Sequence, residues 1–163
     1  MKKYELTDDT ITVGGRILHR IKALKSFSDV EEGDLGGYVE KEDNLDHSGE
    51  AWVSGNARVY GNAWVYGNAR VYGNARVSGD ARVGGDARVS GENDYAAAKG
   101  FGREYRTTTF FRLQDGGIGV RCGCFCGTLE EFREKVKETH KESKMWKEYL
   151  MLADLMEYKF KNA

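Results

Sequence analysis

Residues 51–92 read AWVSGNARVYGNAWVYGNARVYGNARVSGDARVGGDARVSGE, one six-residue phrase written seven times without a break. A valine falls at 53, 59, 65, 71, 77, 83 and 89, with an alanine two residues before each. Tracing backwards, Leu45 and Val39 continue the series across a two-residue insertion around His47-Ser48-Gly49, which makes nine aliphatic positions. Six residues are about 1.67 turns of an α-helix, so a helix would carry the valines around its axis, and a glycine in every unit would weaken it further. Ordinary hairpins need longer runs between their turns. What fits is a short extended run, a corner, and the same again. Strand alternation puts each Val and its Ala on one side, and the Arg or Trp before Val and the Tyr or Ser after it on the other. Gly with Asn or Asp takes the corner, where a left-handed backbone is tolerated.

These hexads resemble the hexapeptide-repeat family. Val59-Tyr60-Gly61-Asn62-Ala63-Trp64 fits that family's phrase at the aliphatic and small positions, and departs from it where Tyr60 replaces a small residue. The resemblance implies a left-handed parallel β-helix with three hexads to a coil, hence about three coils. Val39/Val59/Val77, Leu45/Val65/Val83 and Val53/Val71/Val89 would then stack along three inner edges.

The flanks differ in kind, and the chain divides into four. Residues 1–38 are expected to form an N-terminal β cap, with short strands at 4–6, 11–13 and 17–24, a turn at Gly14-Gly15 and another over 34–37. Residues 39–92 are the repeat region, and 93–104 read as a linker containing Ala96-Ala97-Ala98. In 105–163, two strands (107–113 and 118–125) flank a Gln-Asp-Gly-Gly turn, a β-hairpin pattern. Thr128 with Glu131 is a capping box opening a helix whose inner face carries Leu129, Phe132 and Val136. A second helix beginning near Ser143 carries Trp146, Tyr149, Leu150, Ala153 and Met156 on one side. The stretch TTTFFRLQDGGIGVRCGCFCGTLEEFREKVKETH resembles a C-terminal ββαα module of short bacteriophage and prophage repeat proteins. The fold class expected is therefore mainly β with a helical tail.

Composition narrows the setting. A formal net charge of −1 gives no global field to recruit nucleic acid or anionic membrane. Three closely spaced cysteines do not make a secreted disulfide framework, and MKKYELTDD has no apolar stretch after its lysines. A cytoplasmic location is expected, in the host cell if the chain is phage-encoded.

Four groups of residues could carry function. Cys122, Cys124 and Cys126 alternate, so on one strand they would face one way at roughly 6.5–7 Å spacing, long for a shared metal. Packed thiols, and no metal, are expected. Among the histidines, His19 falls in a lead-in strand and His140 at a helix end, leaving His47 as the one within the coils. Acyltransferases of the hexapeptide family use a coil histidine as general base toward an acceptor attacking an acyl-coenzyme A. No long loop interrupts 51–92, so His47 is expected to be a solvated loop residue and no cofactor is assigned.

The outer rows come third: Trp52, Trp64, Tyr60, Tyr66, Tyr72, Arg58, Arg70, Arg76, Arg82 and Arg88. Such residues dominate protein interfaces, grip single-stranded nucleic acid, or simply form a cation–π surface lattice. Fourth, the two ends of a parallel stack are open edges that need covering. The expectation is a non-enzymatic, protein-binding, homo-oligomeric rod of phage type. Its target would be a host protein, with a component of antiviral defence one option. A coenzyme A-dependent acyltransferase and a nucleic-acid-binding rod are the alternatives.

Overall fold

The computed structural model describes residues 2–102, 104–140 and 143–161. Strands β1 (Tyr4–Val13) and β2 (Arg16–Ala23) form an antiparallel hairpin turning at Gly14-Gly15, whose φ values are +53° and +81°. The two short strands expected at 4–6 and 11–13 are one, bent by an irregularity between Leu6 and Thr10. Strand β3 (Leu35–Val39) pairs antiparallel with β2 and parallel with the repeats, so it is the switch between cap and stack. Gly36 and Gly37 lie in this strand and not in a turn. A Cβ on Gly36 would sit 2.5 Å from the Val53 carbonyl oxygen, and one on Gly37 2.7 Å from that of Ala57. Close approach explains them.

The hexads give seven two-residue strands: β4 (Trp52–Val53), β5 (Arg58–Val59), β6 (Trp64–Val65), β7 (Arg70–Val71), β8 (Arg76–Val77), β9 (Arg82–Val83) and β10 (Arg88–Val89). They pair in parallel as three columns: β3-β5-β8, β4-β7-β10, and β6-β9 extended by a bridge from Leu45. Val59 pairs with Val77, 18 residues on, whereas Val39 pairs with Val59, 20 residues on, across the insertion. Every valine and alanine of the hexads is buried at 0–1 % exposure. The corners need their glycines: Gly67 has φ +64°, and a Cβ there would come within 3.0 Å of the Gly85 nitrogen.

Beside the two-residue strands, the hydrogen bonds between rungs donate from the earlier rung to the later. The amides of Arg58, Tyr60 and Asn62 donate forward to the carbonyls of Ala75, Val77 and Gly79 at 2.9, 3.1 and 2.9 Å. At these flanking positions the first turn presents carbonyls, and the last amides, that no further rung meets, while the paired strands themselves bond in both directions. Each end is met by side chains of the opposite kind. At the first end, the buried Lys3 Nζ donates to Ala51 O at 2.6 Å, and Tyr4 Oη donates to Leu45 O at 2.6 Å. Asn44 Nδ2 donates to Ala63 O at 2.8 Å, standing in for a backbone amide. At the other end, Thr109 Oγ1 accepts from the Arg82 amide at 3.0 Å and the Asp94 carboxylate from the Ser90 amide at 2.8 Å. The Tyr95 hydroxyl oxygen accepts from the Ser78 amide.

Residues 93–104, expected to be a linker, contain strand β11 (Tyr95–Phe101). It opens a four-stranded antiparallel meander with β12 (Arg106–Arg112), β13 (Ile118–Cys122) and β14 (Phe125–Thr128). The expected hairpin is therefore the middle of a larger sheet. The second expected strand, 118–125, is broken at Gly123, whose φ of +58° closes a turn between β13 and β14. Helices α1 (Leu129–His140) and α2 (Lys144–Lys161) cover the sheet's outer face. The capping box forms as expected: Thr128 Oγ1 accepts from the Glu131 amide at 3.2 Å, and Glu131 Oε1 accepts from the Thr128 amide at 3.0 Å. Alternation along β12 does the joining. Phe110 packs among the helices with Leu129, Phe132 and Met156, while Phe111 enters the core of the repeat stack.

Candidate functional site

The outer rows meet three different fates, one for each column. On the β4-β7-β10 column Trp52 is only 4 % exposed, with the rings of Phe27 and Tyr4 edge-on at 5.4 and 6.4 Å. It belongs to the N-terminal packing, which corrects its expected place on an outer binding row. Arg70 pairs with Asp29 at 2.8 Å, and Arg88 donates to Asn68 O, Ala87 O and Gln114 Oε1 at 3.0, 2.8 and 3.3 Å. Tyr72 remains exposed.

On the β6-β9 column, Trp64 stacks on Tyr66 with centroids 4.2 Å apart, and the Arg121 guanidinium lies over both rings at 5.8 and 5.1 Å. Arg121 Nη1 donates to Tyr66 Oη at 2.9 Å, and Cys126 Sγ is 3.6 Å from the same oxygen. Burial, with the Cys126 contact, pushes the Tyr66 hydroxyl up to about 12. The ring lies where a Cβ on residue 84 would be, 2.0 Å from its Cζ. That is why the sixth hexad alone carries glycine after its valine. Trp64 and Tyr66 thus seat the C-terminal sheet on the flank of the stack; Arg82 stays exposed.

On the β3-β5-β8 column Arg76 is exposed, with Arg58 and Tyr60 half-buried beside it. Tyr60 and Arg76 line an open cavity of 490 Å³ shared with Ser78, Glu92 and Tyr95. Of the ten expected row residues, this structure leaves Tyr60, Tyr72, Arg58, Arg76 and Arg82 at least partly available, on three separate columns.

The thiols do not line one strand. Cys122 is half-buried, 3.3 Å from Thr108 Oγ1 and 3.8 Å from Tyr149 Oη, while Cys124 and Cys126 are exposed beyond the Gly123 turn. The expectation of three packed thiols fails because the strand reverses between the first and the second. His47 is not a solvated loop residue either. Its ring stacks on Tyr4 at 4.2 Å, and Nδ1 accepts from the Lys3 amide at 3.1 Å. Its Nε2 is buried without a hydrogen bond, with Glu42 Oε2 3.7 Å away. His19 Nδ1 lies 3.0 Å from Thr7 O. The side chain of His140 lies outside the described residues.

Unexpected from the sequence are the polar atoms that close the ends. Burial lowers the Lys3 ammonium to about 8, and burial likewise raises the Tyr4 hydroxyl well above its usual value. Burial alone would raise Asp94, but hydrogen bonds from Ser90 and Arg112 bring its carboxyl below the ordinary range.

Parallel columns of two-residue strands at an 18-residue spacing, with an Ala/Val interior, define a β-solenoid repeat protein. In keeping with that class, residues 51–67, 63–79 and 69–85 match the family model described as the YdcK β-solenoid repeat. No curated protein matches the chain. No helix among the described residues is long and apolar enough to cross a membrane.

Proposed function

We propose that this chain is a non-enzymatic interaction module of phage or prophage type, a left-handed solenoid of about three coils whose flank binds a protein in the host cytoplasm. The observation that carries the reading is the distribution of outer-row side chains. The caps consume Trp52, Trp64 and Tyr66, yet Tyr72 and Arg76 stay exposed and Tyr60 and Arg58 stay half-exposed. Tyrosine and arginine are the residue types that anchor protein interfaces. A host protein is the partner the phage resemblance favours, an antiviral-defence component among them. His47 supports the non-catalytic reading, because its Nδ1 is occupied by a backbone amide and its ring is held against Tyr4. Met151 and Leu155, exposed four residues apart on α2, suit self-association.

The test is capture from host lysate with three variants, Tyr60→Ser, Tyr72→Ser and Arg76→Gln, against wild type. A protein retained by wild type and lost by Tyr60→Ser or Arg76→Gln supports the reading. An unchanged set of captured proteins in all three removes the solenoid flank from the account. Light scattering on Met151→Glu reads the oligomer separately: a shift to monomer supports self-association through α2.

A further inference from the structure

Where the solenoid meets the C-terminal sheet, an open cavity of 470 Å³ is lined by Arg82, Lys99, Arg106 and Arg121, with Asp80 as the one carboxylate and Tyr105 as the one aromatic ring. Four cations converge here in a chain whose formal net charge is −1. Asp80 is already engaged, accepting from Lys99 Nζ at 3.2 Å and Asn62 Nδ2 at 3.3 Å, and Arg106 is paired with Glu104. The Arg82 guanidinium makes no hydrogen bond or close ion pair among the described residues, though its charge helps lower the Asp80 carboxyl. Arg121 is fixed by its bonds to Gly123 O and Tyr66 Oη, both at 2.9 Å, which leave its Nη2 without a protein acceptor among the described residues.

The surroundings are built to hold these cations in place. Gly123 has no side chain where Arg106 crosses it; a Cβ there would lie 2.1 Å from Arg106 Nη1. Tyr105 adopts φ +51°, a left-handed backbone that costs a bulky residue on the order of 1 kcal/mol, and its side chain is 68 % exposed. The Tyr105 ring belongs to neither core cluster.

We propose that this cavity binds a small phosphorylated ligand bearing a flat ring, of the nucleoside phosphate class. Arg82 and Arg121 hold the phosphate oxygens, Lys99 and Arg106 add positive potential, and the Tyr105 ring stacks on the base. Guanidinium groups match phosphate geometry, an aromatic face accepts any base, and the volume suits a small molecule rather than a protein loop. The site is separate from the Tyr60–Arg76 flank, so it stands or falls apart from the protein-binding reading.

Calorimetric titration of the full chain at low salt tests it, with ATP, inorganic tripolyphosphate and a ten-residue oligothymidylate as probes. ATP is expected to bind at one site, and Arg82→Gln to weaken both ATP and tripolyphosphate about tenfold or more. Tyr105→Ala is expected to weaken ATP several-fold while leaving tripolyphosphate within about twofold. Lys99→Gln serves as the second cation variant, and Lys22→Gln, an exposed cation on the N-terminal hairpin, is expected to leave both affinities unchanged. Absence of ATP and tripolyphosphate binding at about 1 mM overturns the proposal, as does ATP affinity unchanged in both Arg82→Gln and Lys99→Gln. Unchanged ATP binding in Tyr105→Ala overturns the stacking role. Oligothymidylate binding tighter than ATP, with a steep salt dependence, would make the cleft a polynucleotide surface and sink the small-ligand assignment.

Discussion

The two ends of the solenoid are built from the same hexads yet require opposite chemistry. At the first end the positions beside the strands leave carbonyls without a rung, and the chain supplies donors: an ammonium, a phenol and an amide, from Lys3, Tyr4 and Asn44. At the last end the same positions leave amides, and the chain supplies acceptors: a hydroxyl, a phenol oxygen and a carboxylate, from Thr109, Tyr95 and Asp94. The forward direction of the bonds beside the strands fixes which kind goes where. A repeat propagates itself by backbone bonding alone, but it stops only where side chains imitate the missing rung. Unpaired polar groups buried under a cap would each cost about 1–3 kcal/mol.

The apolar plugs differ too, and this gives the largest expected effect. Phe111, 1 % exposed, closes the core at the last end, so Phe111→Ala should cost about 3–5 kcal/mol in urea unfolding. A loss under about 1 kcal/mol would mean that the last rungs do not need a plug. At the first end Tyr4→Phe keeps the ring and deletes the donor to Leu45 O and Glu42 O, with an expected loss of about 1–3 kcal/mol. An unchanged midpoint would show that these carbonyls find water and do not need the phenol at that end.

Docking of the last cap on the flank gives the next contrast. Gly84→Ser restores the residue that other hexads carry there, but places a Cβ inside the Tyr66 ring, so a loss of about 1–3 kcal/mol is expected. Combining it with Tyr66→Ser should return part of that loss, a coupling readable from a double-mutant cycle. Additive losses would mean that Tyr66 does not occupy this space in solution.

The ends should also respond to opposite extremes of pH. Lys3 binds its proton less tightly folded, at about 8, than its ordinary 10.5. Between those values the unfolded chain holds more protons, so stability rises with pH, by roughly 1–2 kcal/mol from pH 8 to 9.5. Lys3→Met should flatten that rise. Asp94 is shifted the other way, so its contribution is complete above the ordinary carboxylate range and fades as pH falls through its lowered folded value. Asp94→Asn should remove that acid-side slope and leave the alkaline one intact. If both variants change the same limb, the two ends are not separately titrating units.

The repeat region was legible because its period excludes other folds. Each Val and Ala expected inside is inside, and Val59 sits over Val77 as the three-hexad spacing required. The capping box at Thr128 was equally readable, since both partners lie within one turn. The outward rows were not. Whether Tyr60, Tyr66 or Tyr72 is free depends on where distant segments land, and hexad arithmetic treats all three alike. One sign was present: Gly84 breaks the phrase, and position 66 precedes it by 18 residues on the same column. The end caps left no periodic trace, because Lys3, Asn44, Asp94 and Thr109 act through single long-range bonds. The cysteines misled because an alternating run was read as one strand, while Gly123 turns it back on itself.

Amide hydrogen exchange on one column tests the account most directly. Trp64 donates to Ala81 O in mid-ladder at 2.9 Å, whereas Arg82, one turn on, donates only to Thr109 Oγ1. Both amides should be protected in the wild type, and Thr109→Val should speed exchange at Arg82 by about 10-fold or more while Trp64 stays slow. Rapid exchange at Arg82 in the wild type, or an Arg82 rate indifferent to Thr109→Val, would contradict the claim that side chains of complementary polarity terminate the ladder.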